Sequence, residues 1–274
     1  MTTLDETAEP AIAERSVPVW NDAITIRVKV AGTGAPLLYL HSAGGLGWDP
    51  FLSALARERT VFAPEFPGTS AGDPYAVHRV DALADVVLIY EELVRALGLR
   101  RPAIVGHSFG GMLAAELAAA FPALAAEVVL LAPVGLWRDD LPVANWIAAA
   151  PQDQPELLFH DPAGPAARAA LALPEDPDVA AAAIAAQVWA IGATGKFAWP
   201  IPDRRLRARL HRLRAPVLLV WGRQDRLVPA GYADEWEAEL PDSRVVLIDD
   251  CGHVPQAERF AETAAAVAAF LDAR

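Results

Sequence analysis

From Ala23 onward the chain repeats one device that limits the folds open to it: a short run of apolar, β-branched residues, then a stretch with helical period. Strand candidates are 23–31, 36–41, 59–64, 102–106, 127–132, 216–222 and 244–249; helix candidates are 49–57, 80–97, 109–120, 231–240 and 257–273. The later runs, such as 127–132 (EVVLLA) and 216–222 (PVLLVWG), lack the alternation of a sheet with one wet face. Strands covered on both faces read this way, and helices between them wind a parallel sheet on both sides. The expected class is therefore α/β, with a doubly wound, mostly parallel sheet. The first two strand candidates have no helix between them, which makes them candidates for an antiparallel pair.

The alternation breaks across 136–203, where prolines recur and short helix-like pieces carry Trp137, Trp146, Trp189 and Trp199. Tryptophans need something to pack against, so this stretch is expected to be a small helical insertion rather than a disordered loop. The core is then 1–135 together with 204–274, and the insertion is 136–203. In the basic stretch 204–214 (RRLRARLHRLR), Leu206, Leu210 and Leu213 fall at helical spacing, so the arginines are expected to form the solvated face of a helix.

At 274 residues, 54% apolar and 21% charged, the chain can bury a sizeable core. A formal charge of −12 argues against nucleic acid and anionic membranes as partners, since both demand a basic face. A lone cysteine, Cys251, cannot close an internal disulfide, and residues 1–15 are acidic without an apolar run behind them. These features lead to an expected cytoplasmic location. The most apolar long window, 113–135, is interrupted by Glu116, Pro122 and Glu127, so no membrane span is expected.

One corner carries chemistry. The strand candidate ending at Gly106 runs through His107, Ser108 and Phe109 to Gly110, and a helix begins at once. Gly-x-Ser-x-Gly between strand and helix is the arrangement that lifts a serine hydroxyl above the sheet edge on a strained turn. Residues two before and two after the serine come too close for side chains, which accounts for Gly106 and Gly110. The helix that starts at Phe109 aims its first amides and positive dipole end at the same place.

A serine hydroxyl needs a base. Of the six histidines, His107 should point away from the hydroxyl, His78 is in a loop, His160 in the insertion and His211 in the basic stretch. His253 follows the last strand, at the edge where open α/β sheets bind ligands. Asp225, just past 216–222, is the favoured carboxylate to fix the imidazole, because Ser108, Asp225, His253 has the chain order of this elbow class. Asp139 and Asp140, after 127–132, compete for that role. Oxyanion donors are expected from the amide of Phe109 and from the loop after 36–41, with Ala43 the first choice and Gly44 close behind.

The stretches LHSAGG, VGHSFGG, VWGRQDRLVP and DCGHVPQAE together make the chain resemble the α/β-hydrolase fold superfamily, in its broad subgroup of bacterial esterases, lactonases and carbon–carbon bond hydrolases. The likeness runs from Ala23 to the C-terminus, with the insertion as the variable cap. One departure is His41-Ser42, where the family often has His-Gly. The resemblance implies a serine hydrolase acting on a small carboxylic ester or lactone. Carbon–carbon bond hydrolysis or perhydrolysis at the same triad, and a non-catalytic small-molecule receptor, are the alternatives. Relatives that open epoxides or remove halides carry aspartate at the elbow, and carbon–carbon hydrolases often carry asparagine before the serine, where this chain has His107. The substrate pocket is expected to draw on Trp137, Trp146, Phe159, Trp189, Phe197 and Trp199. Neither a metal nor a cofactor is expected, and the partner is a small molecule rather than nucleic acid or membrane.

Overall fold

The computed structural model describes residues 10–69, 73–198 and 204–273. Eight strands form one sheet: β1 (Ala13–Val19), β2 (Ile24–Ala31), β3 (Ala35–Leu40), β4 (Arg59–Pro64), β5 (Ala103–His107), β6 (Val128–Leu131), β7 (Val217–Gly222) and β8 (Ser243–Ile248). Their order across the sheet is β1-β2-β4-β3-β5-β6-β7-β8. All neighbours from β4 to β8 are parallel, while β2 is antiparallel to both β1 and β4.

One strand expectation is corrected, and one strand lies outside the sequence candidates. β2 does pair antiparallel, but with β4, Val30 opposite Phe62, and not with β3. The connection explains why. Gly32 and Gly34 have φ of 81° and 116°, and a Cβ on them would lie 2.0 Å from the Ala56 carbonyl oxygen and 2.5 Å from that of Glu58. The chain thus steps across the backbone leading into β4 and enters the sheet on its far side. β1 was absent from the sequence reading because it is an edge strand with Pro18 in it, and only Val17 and Val19 of its seven residues are buried.

Alternate residues of each central strand face opposite cores. Leu38 and Leu40 of β3, Ile104 of β5 and Leu219 and Trp221 of β7 join one apolar cluster with helices α2 (Leu83–Ala96), α3 (Phe109–Ala120) and α8 (Tyr232–Glu239). Leu37, Tyr39, Val105, Leu218 and Val220 join the other, with α1 (Pro50–Glu58) and α10 (Phe260–Asp272). This is a sheet wound on both faces, with residues 113–135 inside it as the rest of α3 and all of β6.

Between β6 and β7 lie α4 (Gln154–Leu158), α5 (Pro165–Ala170) and the 22-residue α6 (Pro177–Ala198). Among the described residues, α6, rather than the 113–135 window, is the helix long and apolar enough by length and composition to cross a membrane. Its second half packs on the body of the protein, with Ala193, Thr194 and Phe197 buried. The basic stretch forms only one turn, α7 (Arg207–Leu210). Its leucines are buried as expected, but its arginines are not simply solvated. Arg209 forks onto Glu116 at 2.5 and 3.0 Å, and Arg207 reaches Glu235 and Glu239. The last helical stretch is split at Arg259 into α9 (Pro255–Glu258) and α10.

Candidate active site

Because β3 and β5 to β8 run parallel, the loops that follow them share one edge of the sheet. Ser108 sits between β5 and α3 with φ 55° and ψ −113°, a conformation a non-glycine residue adopts at a cost of about 1–3 kcal/mol. Its surroundings hold it there. The Ser108 amide donates to Leu131 O at 2.9 Å, and its carbonyl accepts from Met112 and Val134. A Cβ on Gly106 would fall 2.3 Å from Gly110 O, and one on Gly110 2.0 Å from Leu40 O. The elbow is therefore closed on itself at one glycine and pressed against the end of β3 at the other.

The structure brings Ser108, His253 and Asp225 into one hydrogen-bonded line. Ser108 Oγ lies 2.9 Å from His253 Nε2, and His253 Nδ1 lies 2.8 Å from Asp225 Oδ2. All three are buried. The other carboxylate oxygen, Oδ1, accepts the amides of Leu227 and Val228, both at 2.9 Å. A carboxylate so held accepts a hydrogen bond from Nδ1–H and fixes the proton on that nitrogen, which leaves a lone pair on Nε2 facing the serine hydroxyl. The competing Asp139 and Asp140 are exposed and bonded to Trp137 and Arg138.

Sequence reasoning missed the frame around these loops. A Cβ on Gly222, at the end of β7, would lie 2.1 Å from Gly252 O, so the Asp225 and His253 loops pack backbone on backbone. Gln224 ties them further, its amide donating to Cys251 O and its Oε1 accepting from Cys251 N. His107 spends both ring nitrogens away from Ser108: Nε2 donates to His253 O at 2.9 Å, and Nδ1 accepts from Gln256 at 3.1 Å. Burial, with the charge on His253 adding to it, pushes the His107 pKa down to about 3, so the ring stays neutral. His41 is also held neutral by burial; its Nδ1 donates to Ser42 O and its Nε2 accepts from Phe66 N, which joins the ends of β3 and β4. Glu258 accepts the amides of Gly252 and His160, and its carboxyl pKa is raised by burial. The remaining histidines lie elsewhere: His78 stacks on Tyr75, and His211 is exposed.

The loop after β3 adjoins the elbow. Ser42 O is taken up by His41 Nδ1 at 2.7 Å and Gly45 N at 3.3 Å, and the Thr194 hydroxyl of α6 lies 3.2 Å from Ala43 O. Phe109 is buried against Phe66, ring centroids 5.2 Å apart.

Ser108 and His253 open into a cavity of about 740 Å³ between the sheet edge and the insertion. Of the residues expected to line it, Trp146 and Phe159 do. Trp137, Trp189 and Phe197 do not, and Trp199 lies outside the described residues. The indole of Trp137 donates to Asp139, two residues along its own loop. Trp189 is 41% exposed and donates to Gly68 O at 2.7 Å, pinning α6 to the loop after β4. Phe197 is buried edge-on to Phe66 in the core, centroids 5.6 Å apart. Trp48, Leu171, Ile191, Leu227 and Phe260 supply the walls instead. They come from five separate segments, so no local pattern in the sequence marked them.

The α/β hydrolase fold family model matches residues 35–260. A pimeloyl-[acyl-carrier protein] methyl ester esterase from Aromatoleum aromaticum is 30% identical, over 80% of this chain and 92% of its own length. A 2-hydroxy-6-oxo-6-phenylhexa-2,4-dienoate hydrolase from Burkholderia cepacia is 26% identical, over 85% of this chain and 86% of its own. The solved structure of a bacterial membrane phospholipase A superposes with a TM-score of 0.77 at 24% identity, covering 96% of this chain and 86% of that one. The last likeness is one of fold alone.

Proposed function

Since the chain belongs to the α/β-hydrolase fold family, we propose that it is a serine hydrolase that cleaves a small, uncharged carboxylic ester or lactone. The observation that carries this reading is the unbroken line from Ser108 Oγ through His253 to Asp225, with bonds of 2.9 and 2.8 Å. His253 Nε2 takes the hydroxyl proton as Ser108 Oγ attacks the carbonyl carbon. The oxyanion collapses, the alcohol leaves with the proton from His253, and Ser108 keeps the acyl group. Water then adds to the carbonyl carbon, giving its proton to His253; the bond to Ser108 Oγ breaks, His253 returns the proton to Oγ, and the acid is released. Asp225 holds the ring and balances the imidazolium charge.

Two amides serve the oxyanion. That of Phe109 is in the first turn of α3, where a helix leaves its donors without intrahelical acceptors. The second comes from the loop after β3. A trans peptide aims its N–H opposite its carbonyl. With Ser42 O turned to His41 and Gly45 and Ala43 O toward Thr194, the opposed amides of Ala43 and Gly44 are the ones free to face a ligand. Ala43, beside Ser108 in the cavity wall, is the favoured donor.

The charge of the cavity favours an ester over the acid substrate that the Burkholderia relative's name describes. Among the described residues that line it there is no lysine or arginine, and the one carboxylate is Asp49. Residues 70–72 and 199–203 contain no cationic residue either. A substrate carboxylate would be buried unpaired, at several kcal/mol. Strain stored at a buried serine bonded to a base also favours chemistry over simple reception of a ligand.

The test is turnover of paired activated esters, identical except that one bears a free carboxylate. The neutral member should have a kcat/KM about 10²-fold higher or more, and Ser108→Ala should abolish turnover of both while the circular dichroism stays that of the parent. Near-normal turnover by Ser108→Ala would rule out the mechanism; a preference for the charged ester would rule out the substrate class.

A further inference from the structure

The turn at 156–161, which carries a wall of the cavity, is bonded directly to both loops that hold the base and its carboxylate. The His253 amide donates to Leu158 O at 2.8 Å. Arg226, the neighbour of Asp225, sends Nη1 to Glu156 O at 3.1 Å and Phe159 O at 3.2 Å. Between them sits Glu258. Its Oε1 accepts the amide of Gly252 at 2.7 Å, one residue before the base, and its Oε2 accepts the amide of His160 at 2.6 Å, in the insertion. Both are short, charge-assisted bonds. No side chain intervenes at the seam, since a Cβ on Gly252 would lie 2.8 Å from His160 N and from Leu158 O. The same turn presents Leu158 and Phe159 to the cavity.

We propose that Glu258 is a positioning residue that locks this turn to the His253 loop, so that the base is aligned with Ser108 and Asp225 only while the turn is seated. Arg226 makes the same connection to the Asp225 loop. Ligand contact with Phe159 and alignment of the imidazole are then one event, because a shift of the turn drags the amide of His253 with it. Glu258 itself touches no reacting atom. The inference rests on the serine-hydrolase reading for its catalytic meaning, while the mechanical link stands on the hydrogen bonds alone.

Glu258→Gln tests it in the full chain. A carboxamide keeps the size but offers one acceptor and one donor, so either Gly252 N–H or His160 N–H must confront an NH₂ group. Three quantities are read: kcat and KM for a small neutral activated ester, the far-downfield proton resonance of the His253–Asp225 hydrogen bond, and the rate of limited proteolysis within 156–161. The lock predicts a fall in kcat of about 10²-fold, as for a base displaced by roughly an ångström. KM should change much less, the downfield resonance should broaden or vanish, and cleavage at the turn should accelerate. Unchanged kcat and resonance, with only a lower melting temperature, would overturn the proposal, as would a loss of kcat with resonance and proteolysis unchanged. If Glu258→Gln does not fold, Arg226→Met, which removes both carbonyl contacts from the other loop, should shift all three readouts in the same direction; no shift would overturn it equally. Ser108→Ala separates the two readings, because it should lose turnover yet keep the resonance and the proteolysis pattern. Retained turnover in Ser108→Ala would sink the hydrolase reading and leave the lock to be judged by resonance and proteolysis.

Discussion

Asparagine at position 225 changes one atom, and the structure dictates which way that atom must face. Three donors meet the two oxygens of Asp225: the amides of Leu227 and Val228 on Oδ1, and His253 Nδ1 on Oδ2. An asparagine that turned its NH₂ toward the amides would leave two buried donors unpaired, at about 1–3 kcal/mol each. The amide oxygen therefore stays with Leu227 and Val228, and the NH₂ faces His253. That donor demands a bare Nδ1, which moves the imidazole proton to Nε2, directly against Ser108 Oγ at 2.9 Å. The ring can no longer accept the serine proton. Holding the wrong tautomer is expected to lower kcat on the order of 10⁴-fold, about 5 kcal/mol of barrier, with KM and melting temperature nearly unchanged. Asp225→Ala should lose a similar amount of activity and also several kcal/mol of stability, since both amides then lose their acceptor. The assay is steady-state hydrolysis of a neutral activated ester beside thermal melts of the three proteins. An Asp225→Asn enzyme within tenfold of the parent would refute the assignment of this carboxylate, and a large drop in its melting temperature would refute the account of how the side chain is held.

Acid should destabilise the fold through its neutral histidines. The pKa of His107 is lowered from 6.5 to about 3, so below pH 6.5 the unfolded chain binds a proton that the folded one refuses. Its contribution is complete above pH 6.5 and falls by about 1.4 kcal/mol for each pH unit lost toward 3. His41 acts with the same sign. Denaturant melts from pH 7 to 4 should show a slope that flattens in His107→Gln; equal slopes would contradict this. Gly110→Ala should destabilise by several kcal/mol and abolish activity, because its Cβ would meet Leu40 O at 2.0 Å, whereas Gly98→Ala, with φ +70° and nothing within 4 Å, should cost only the backbone strain, about 1–2 kcal/mol. Comparable melting temperatures for the two variants would show that close approach does not fix the elbow. Trp146→Ala should change the preferred ester size while Trp189→Ala leaves it alone, measured as kcat/KM across a chain-length series, because only the first side chain borders the cavity.

What could be read in the sequence was what local chemistry dictates. The uniformly apolar strands between helices implied a doubly wound sheet, and Gly106 and Gly110 around Ser108 implied a corner where a Cβ has no room. The pairing of Asp225 with His253 could be expected because each follows a strand candidate and Ser108, Asp225, His253 has the chain order of this elbow class. Most of the misreadings depended on a partner distant in the chain; Trp137, bonded to Asp139 two residues along, is the exception. β2 lies beside β4 because the chain crosses at Gly32 and Gly34. Trp189 looked like pocket material, yet its indole is bonded to Gly68, 121 residues away. Gln256, Glu258 and Gly222 fall inside stretches that carry the family resemblance, but their roles were not legible there, because those roles are bonds and contacts to backbone brought near only by the fold.

The central claim is that Ser108 carries the acyl group between the two half-reactions. Rapid acid quenching during turnover of an activated ester, followed by peptide mass spectrometry, reads this directly. The account predicts one acyl group per chain, on the peptide containing Ser108, formed in a burst and absent from Ser108→Ala. Ester consumed without any such adduct, or an adduct on another residue that accumulates at the turnover rate, would contradict it.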